Sequence, residues 1–138
     1  MNRKLAEIIE TQKPLTLPPD ATVRDACKEM YARRFGAVMV TSPDGRLAGI
    51  FTGRDAVRML AEGMDPTTTA LKDVMTTDLS VLAPEHTAIE AMRLMRDAGF
   101  RHVPVVHGGI AVGIVSREDF RGLERDRMDV EVELWERI

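Results

Sequence analysis

Gly113–Asp119, GIVSRED, repeats most of an earlier stretch, Gly49–Asp55, GIFTGRD. Each is a glycine, two apolar residues, a hydroxyl residue, two variable residues and an aspartate. An apolar run that stops at Ser or Thr, with an acid three residues later, is how a strand hands over to a capped helix. Two such corners imply two related units, and the flanking residues agree. Pro19 and Pro84, Thr22 and Thr87, Ala26 and Ala91, Met30 and Met95, Phe35 and Phe100, and Val38 and Val103 all lie 65 residues apart. Gly49 with Gly113, Ile50 with Ile114, Thr52 with Ser116 and Asp55 with Asp119 lie 64 apart. The second copy has therefore lost one residue in a hairpin turn, where a structural repeat tolerates a length change.

Thr22 predicts the N-cap of a helix, with Asp25 three residues on and Val23, Ala26, Cys27 and Met30 along one face, ending near Arg34 to Gly36. Ala37–Thr41 and Leu47–Phe51 flank the turn Ser42–Gly45, SPDG, and read as a hairpin. Thr52 closes it, and Asp55–Glu62 returns to helical spacing until Gly63 and Pro66. Ahead lie a short amphipathic helix within Met1–Glu10 and a strand around Leu15–Leu17. The second copy repeats the order. A short helix at Leu71–Met75 comes first, and Thr87 and Glu90 form a capping box. Val103–Val106 and Ile110–Val115 flank His107-Gly108-Gly109, and Ser116 opens a last helix. Each copy is strand, helix, strand, strand, helix, an α+β pattern. The copies divide as residues 1–66 and 67–123, with 124–138 as a tail. Within the tail, Asp129–Leu134 alternates like a strand, while Leu134, Trp135 and Ile138 also fit a helix. Both a docked tail and a dimer or partner contact are open there.

A chain of 138 residues can hold one substantial core, so the two copies are expected to share it. With 44% hydrophobic and 30% charged residues the composition is that of a folded protein. A net charge of -3 provides no general attraction for nucleic acid or anionic lipid, and neither is expected as a partner. Apolar runs such as GAVMV fall well short of the roughly 20 residues of a membrane helix. A single cysteine, Cys27, excludes an internal disulfide, and no basic apolar leader opens the sequence, so a reducing cytoplasmic compartment is expected.

The corner can do chemistry. With Ser116 at the N-cap, Asp119 lies one turn in on the same side, beside the backbone N–H groups of the first turn. A phosphate suits those N–H groups and the Ser116 hydroxyl, and the Asp119 carboxylate suits the two donating hydroxyls of a ribose. A nucleotide fits better than free phosphate, which the carboxylate would repel. The same Ser/Thr-x-x-Asp pattern is also an ordinary cap worth about 1 kcal/mol with no ligand, and a duplicated fold duplicates its caps.

Taken in order, Lys72–Thr76 (KDVMT), a strand, Pro84, the capped helix, Arg101–Val106 (RHVPVV), the Gly-rich turn and GIVSRED resemble the cystathionine β-synthase (CBS) domain. That domain occurs in tandem pairs known as Bateman modules, and the resemblance runs from Leu5 to about Leu123. It implies two CBS repeats related by a pseudo-two-fold axis and packed sheet to sheet. It also implies a homodimeric, stand-alone regulatory module that binds AMP, ADP, ATP or S-adenosylmethionine and signals to a partner protein. By that resemblance the second site uses Ser116 and Asp119, with Arg101, His102, Val103 and Pro104 and the strand around Thr76 and Val81. The first uses Thr52 and Asp55, with Gly36, Ala37, Val38 and Met39 and the strand around Thr11 and Thr16. The sites differ: Met39 stands where Pro104 does, Gly36-Ala37 replaces Arg101-His102, and Arg54 stands where Glu118 does. The second is favoured for contacts to a base.

Cys27 has Met92 as its counterpart and reads as a core thiol. His86, His102 and His107 lack metal-ligand spacing, Ser116 lacks the G-x-S-x-G elbow, and Gly108-Gly109 reads as a turn. No catalytic residue, cofactor or metal is assigned, because no acid, base, nucleophile and metal set converges. A ligand-free interaction or dimerisation module is the competing reading.

Overall fold

The computed structural model describes residues 2–120 and 122, and the tail at 124–138 lies outside them. The elements in order are α1 (Leu5–Ile9), β1 (Thr16–Leu17), α2 (Val23–Arg33), β2 (Ala37–Thr41), β3 (Leu47–Thr52) and α3 (Gly53–Ala61). They continue with α4 (Leu71–Val74), α5 (Ala88–Ala98), β4 (His102–His107) and β5 (Ile110–Ser116). A 3-10 turn, Arg117–Asp119, follows β5. The mixed α+β class and the doubled element order stand as expected. Two details differ. The strand expected around Thr76 and Val81 is reduced to isolated bridges, Thr76 to Ile50 and Leu82 to Val105. The helix expected to open at Ser116 begins as the 3-10 turn and meets an extended Phe120 (φ -91°, ψ 139°), which cannot continue it.

Packing divides the described residues into two units that cut across the sequence copies. The unit holding the first corner consists of Lys13–Ser80 with Gly108–Ala111. Its sheet has the order β1-β2-β3, with β1 parallel and β3 antiparallel to β2. α2 starts at a full capping box: the Thr22 hydroxyl accepts from Asp25 N at 3.1 Å, and the Asp25 carboxylate accepts from Thr22 N at 3.4 Å. It ends at Arg34 in the left-handed region (φ 57°), where its repeat counterpart is Gly99 (φ 75°), a residue that adopts this conformation without steric cost. Val23, Ala26 and Met30 of α2 join Val38, Val40, Phe51, Met59, Leu71 and Val74 in one buried cluster. Burying each large aliphatic there contributes roughly 1.5–3 kcal/mol. Gly108–Ala111 belongs to this unit through Ala111 N to Gly45 O (3.0 Å) and Leu47 N to Gly109 O (3.3 Å).

The unit holding the second corner consists of the described residues up to Gln12, Val81–His107 and the described residues from Val112 onward. Thr87 caps α5 by accepting from Glu90 N at 3.2 Å. Ala88, Ala91 and Met95 then face Val103, Val105, Val115 and Phe120 across a second buried cluster. Leu5 of α1 is fully buried in this cluster. Backbone bonds Leu5 N to His86 O (2.8 Å), Ala6 N to Pro84 O (3.0 Å) and Ala88 N to Arg3 O (2.8 Å) seat the segment. β4 and β5 form a two-stranded sheet, and both residues between them, Gly108 (φ 57°) and Gly109 (φ 84°), have the positive φ that a tight primed turn requires.

Candidate functional site

Each corner sits where a strand ends, and each is pinned from the side by a segment distant in sequence. In the first, Thr52 ends β3 and caps α3. The Thr52 N–H donates to Asp55 Oδ2 at 3.0 Å, the Asp55 N–H donates to Thr52 Oγ1 at 3.3 Å, and Thr52 Oγ1 lies 3.2 Å from Asp55 Oδ2. The Thr76 hydroxyl adds donor contacts to Asp55 Oδ1 at 3.1 Å and Oδ2 at 3.4 Å. Arg58, one turn along α3, pairs with Asp55 Oδ1 at 3.6 Å and donates to Val74 O at 2.8 Å. Asp55 is 7% exposed, an unusual position for a carboxylate unless it is compensated in this way. Thr76 is held in turn by a backbone pair with Ile50, N to O at 2.8 Å and O from N at 2.9 Å.

The second corner has the same frame with different partners. Ser116 N donates to Asp119 Oδ2 at 2.7 Å and Ser116 Oγ lies 3.3 Å from it. Arg3 donates from Nη2 to the Asp119 carbonyl at 2.8 Å. Gln12 holds Ile114 by its side chain: Nε2 donates to Ile114 O at 2.7 Å, and Oε1 accepts from Ile114 N at 2.8 Å. Both Ser116 and Asp119 are half-buried. Around them, burial pushes His102 below its ordinary value, an effect reinforced by Arg101 and opposed by Glu118 and Asp119. Glu118 is held below the usual carboxylate range, first by the Ser116 hydroxyl and then by its own backbone.

The other predicted residues distribute as follows. Gly36 is exposed, and its carbonyl accepts from Gly53 N at 3.2 Å; Ala37, Val38 and Met39 are buried on β2. Thr16 is exposed on β1 and pairs with Met39. Arg101 and Val81 are exposed, His102 is half-buried, and Val103 and Pro104 are buried on β4. The Pro104 carbonyl accepts from Leu82 N at 3.1 Å, which ties the Val81 segment to that wall. Thr76 bonds to Asp55, and Thr11 is exposed beside Gln12, which reaches the second corner. Gln12, Arg3 and Arg58 were missed. The glycines carried a signal for the contacting segments: a Cβ at Gly49 would meet Met75 Sδ at 2.6 Å and Thr76 O at 3.0 Å, and one at Gly113 would meet Ile9 Cγ2 at 2.7 Å and Gln12 Oε1 at 3.0 Å. The glycine that opens each motif marks where another segment lies flat on the strand.

Cys27 is half-buried against the first core, and burial raises its thiol pKa, which disfavours the nucleophilic thiolate. Among the described residues no three His, Cys, Asp or Glu side chains converge as metal ligands, and no helix is long and apolar enough to cross a membrane.

The CBS domain family profile matches residues 5–62 and 71–125. The chain belongs to the CBS domain family. Its similarity extends to the CBS domain-containing protein CBSCBSPB3 of Arabidopsis thaliana, 38% identical over 108 residues, which cover 78% of this chain and 19% of that protein. The chain thus spans about a fifth of that relative's length. Among solved structures, a CBS domain protein from Pyrobaculum aerophilum complexed with AMP superposes with a TM-score of 0.82, covering 92% of this chain and 98% of that one at 24% identity. The CBS domain pair of protein MJ0100, in complex with 5-methylthioadenosine and S-adenosyl-L-methionine, gives 0.78 over 94% and 98% at 21% identity. At these identities the likeness is one of fold. Two CBS repeats therefore account for the doubled corner.

Proposed function

We propose that this CBS pair is a non-enzymatic regulatory module that binds an adenosine-containing ligand, AMP, ADP, ATP or S-adenosylmethionine, and passes the bound state to a partner protein. The observation that carries the reading is the second corner, where a serine hydroxyl and a carboxylate share the end of β5, the strand paired with β4, and His102 of β4 feels the Asp119 charge. Asp119 supplies acceptors for a ribose diol, and Ser116 supplies a phosphate contact. Both structural neighbours described above hold adenosine-type ligands, which supports the same class. A homodimer in the cytoplasm completes the reading, the latter resting on the single cysteine.

The test is thermal unfolding with AMP, ADP, ATP and S-adenosylmethionine on the wild type and on Asp119→Ala. A ligand at about 100 times its Kd adds roughly 2.7 kcal/mol, a shift of several degrees for a chain of this size. A shift lost in Asp119→Ala is expected, and no shift with any ligand sinks the sensor reading. A second reading, a ligand-free interaction module, is favoured by Asp55, whose carboxylate is satisfied by protein donors and acts as a structural cap.

A further inference from the structure

The two corners differ in what already occupies their carboxylates. Asp55 receives the Thr52 N–H, the Thr52 hydroxyl and the Thr76 hydroxyl, and Arg58 lies 3.6 Å from Oδ1. Two carboxylate oxygens offer about four acceptor sites, so these contacts use most of the capacity, and the side chain is 10% exposed. The Thr76 contact is made by an alcohol, the same donor class as a ribose hydroxyl. At the second corner, Ser116 alone among the described residues donates to the Asp119 carboxylate. The repeat counterpart of Thr76 is Thr11, which is exposed and makes no side-chain hydrogen bond among the described residues. Gln12 replaces the backbone pairing of Thr76 with its side-chain amide, and that amide ends on Ile114, not on Asp119.

We infer that Thr76 is a built-in occupant of the first corner: its hydroxyl takes the acceptor positions on Asp55 that a ligand diol would use, so each chain takes one nucleoside ligand, at Ser116 and Asp119. This rests on the proposed ligand class and specifies which of the two corners serves it. Displacing Thr76 requires breaking its hydrogen bond to a carboxylate that is only 10% exposed, whereas Asp119 needs no such exchange.

Calorimetric titration with AMP, repeated with S-adenosylmethionine, tests it. The wild type should bind one AMP per chain and Asp119→Ala none. Thr76→Val, which keeps the shape and removes the hydroxyl, should bind two, and the double variant Asp119→Ala/Thr76→Val should bind one. Thr76→Ser, which restores the hydroxyl, should return the count to one. Two sites in the wild type, or an unchanged count of one in a folded Thr76→Val, overturns the inference. Should Thr76→Val not fold, Asp119→Ala decides: a residual AMP site in that variant overturns the inference, and its loss supports it. A wild type that takes neither ligand sinks the proposed function. In that case a site gained by Thr76→Val still supports the occupant role, and no gain overturns it too.

Discussion

The side-chain amide of Gln12 brackets the backbone of Ile114, donating to its carbonyl at 2.7 Å and accepting from its N–H at 2.8 Å. In the other corner the backbone of Thr76 makes the same two bonds to Ile50. A glutamine side chain thus reproduces a peptide group, with one donor and one acceptor at the spacing a neighbouring strand would offer. The bracket lies two residues ahead of Ser116, so it fixes the strand end from which that hydroxyl projects.

Gln12→Ala should leave both backbone groups of Ile114 without these partners, at a cost of about 1–3 kcal/mol. Gln12→Glu keeps an acceptor for Ile114 N but sets a carboxylate against Ile114 O, and should cost at least as much near neutral pH. Urea melts of the two variants check this. Midpoints equal to the wild type would show that the bracket contributes no stability.

Gly113→Ala should destabilise more than Gly49→Ala. The added methyl at Gly113 meets Ile9 Cβ at 2.8 Å, an atom fixed to the α1 backbone, as well as Ile9 Cγ2 at 2.7 Å. At Gly49 the closest atoms belong to Met75 Sδ and Cγ, a flexible side chain that can swing aside, although Thr76 O at 3.0 Å must still yield. Overpacking of this kind costs about 1–3 kcal/mol, and thermal midpoints of the two variants should rank in that order. The reverse ranking would mean that α1 is the more yielding neighbour.

Leu5→Ala should cost about 2–5 kcal/mol, the range for a large-to-small change at a fully buried site. This would make the N-terminal segment an integral part of its unit. Amide hydrogen exchange should show the loss concentrated in residues 3–12 and 82–88, which Leu5 and its neighbours hold together. A loss under about 0.5 kcal/mol would contradict the burial.

Acidification should weaken the fold through His102. Burial lowers its pKa below the ordinary 6.5, so the unfolded chain takes up a proton that the folded chain resists. Stability is therefore full above pH 6.5 and falls as pH drops from there towards the lowered folded value, below which this contribution is constant. Glu118, whose pKa is also lowered, adds a loss below its ordinary 4.5, in the same direction. His102→Gln should flatten the upper part of the pH–stability curve, just below pH 6.5. An unchanged slope in that variant would assign the titration to another group.

Much of the fold was legible because it is local. The Thr22–Asp25 and Thr52–Asp55 boxes, the turn at Gly108-Gly109 and the short apolar runs of each hairpin are written in residues a few positions apart, and caps and turns depend on little else. The 64 to 65 residue repeat and the motifs on it carried the family and its element order. Details that depend on competition between local and distant partners were less legible. Phe120 interrupts the helix expected after Ser116, and the strand expected around Thr76 survives only as bridges.

The sequence by itself determined that two equivalent corners exist, each a hydroxyl and a carboxylate at the end of a strand, because a cap is encoded within four residues. The tertiary structure alone decided which segment lies against each corner. The bond from Thr76 to Asp55 crosses 21 residues and the bracket from Gln12 to Ile114 crosses 102. A repeat is equally consistent with each copy keeping its own leading segment or taking the other's. What settles the choice is steric and polar fit: glycine at 49 and 113 opens a strand to close approach, and the arriving segment must satisfy the exposed backbone of Ile50 or Ile114. Thr76 does so with its backbone and has a hydroxyl left for Asp55, whereas Gln12 uses its side-chain amide for the task, with both ends of it on Ile114. The unequal occupation of the two carboxylates comes from that difference.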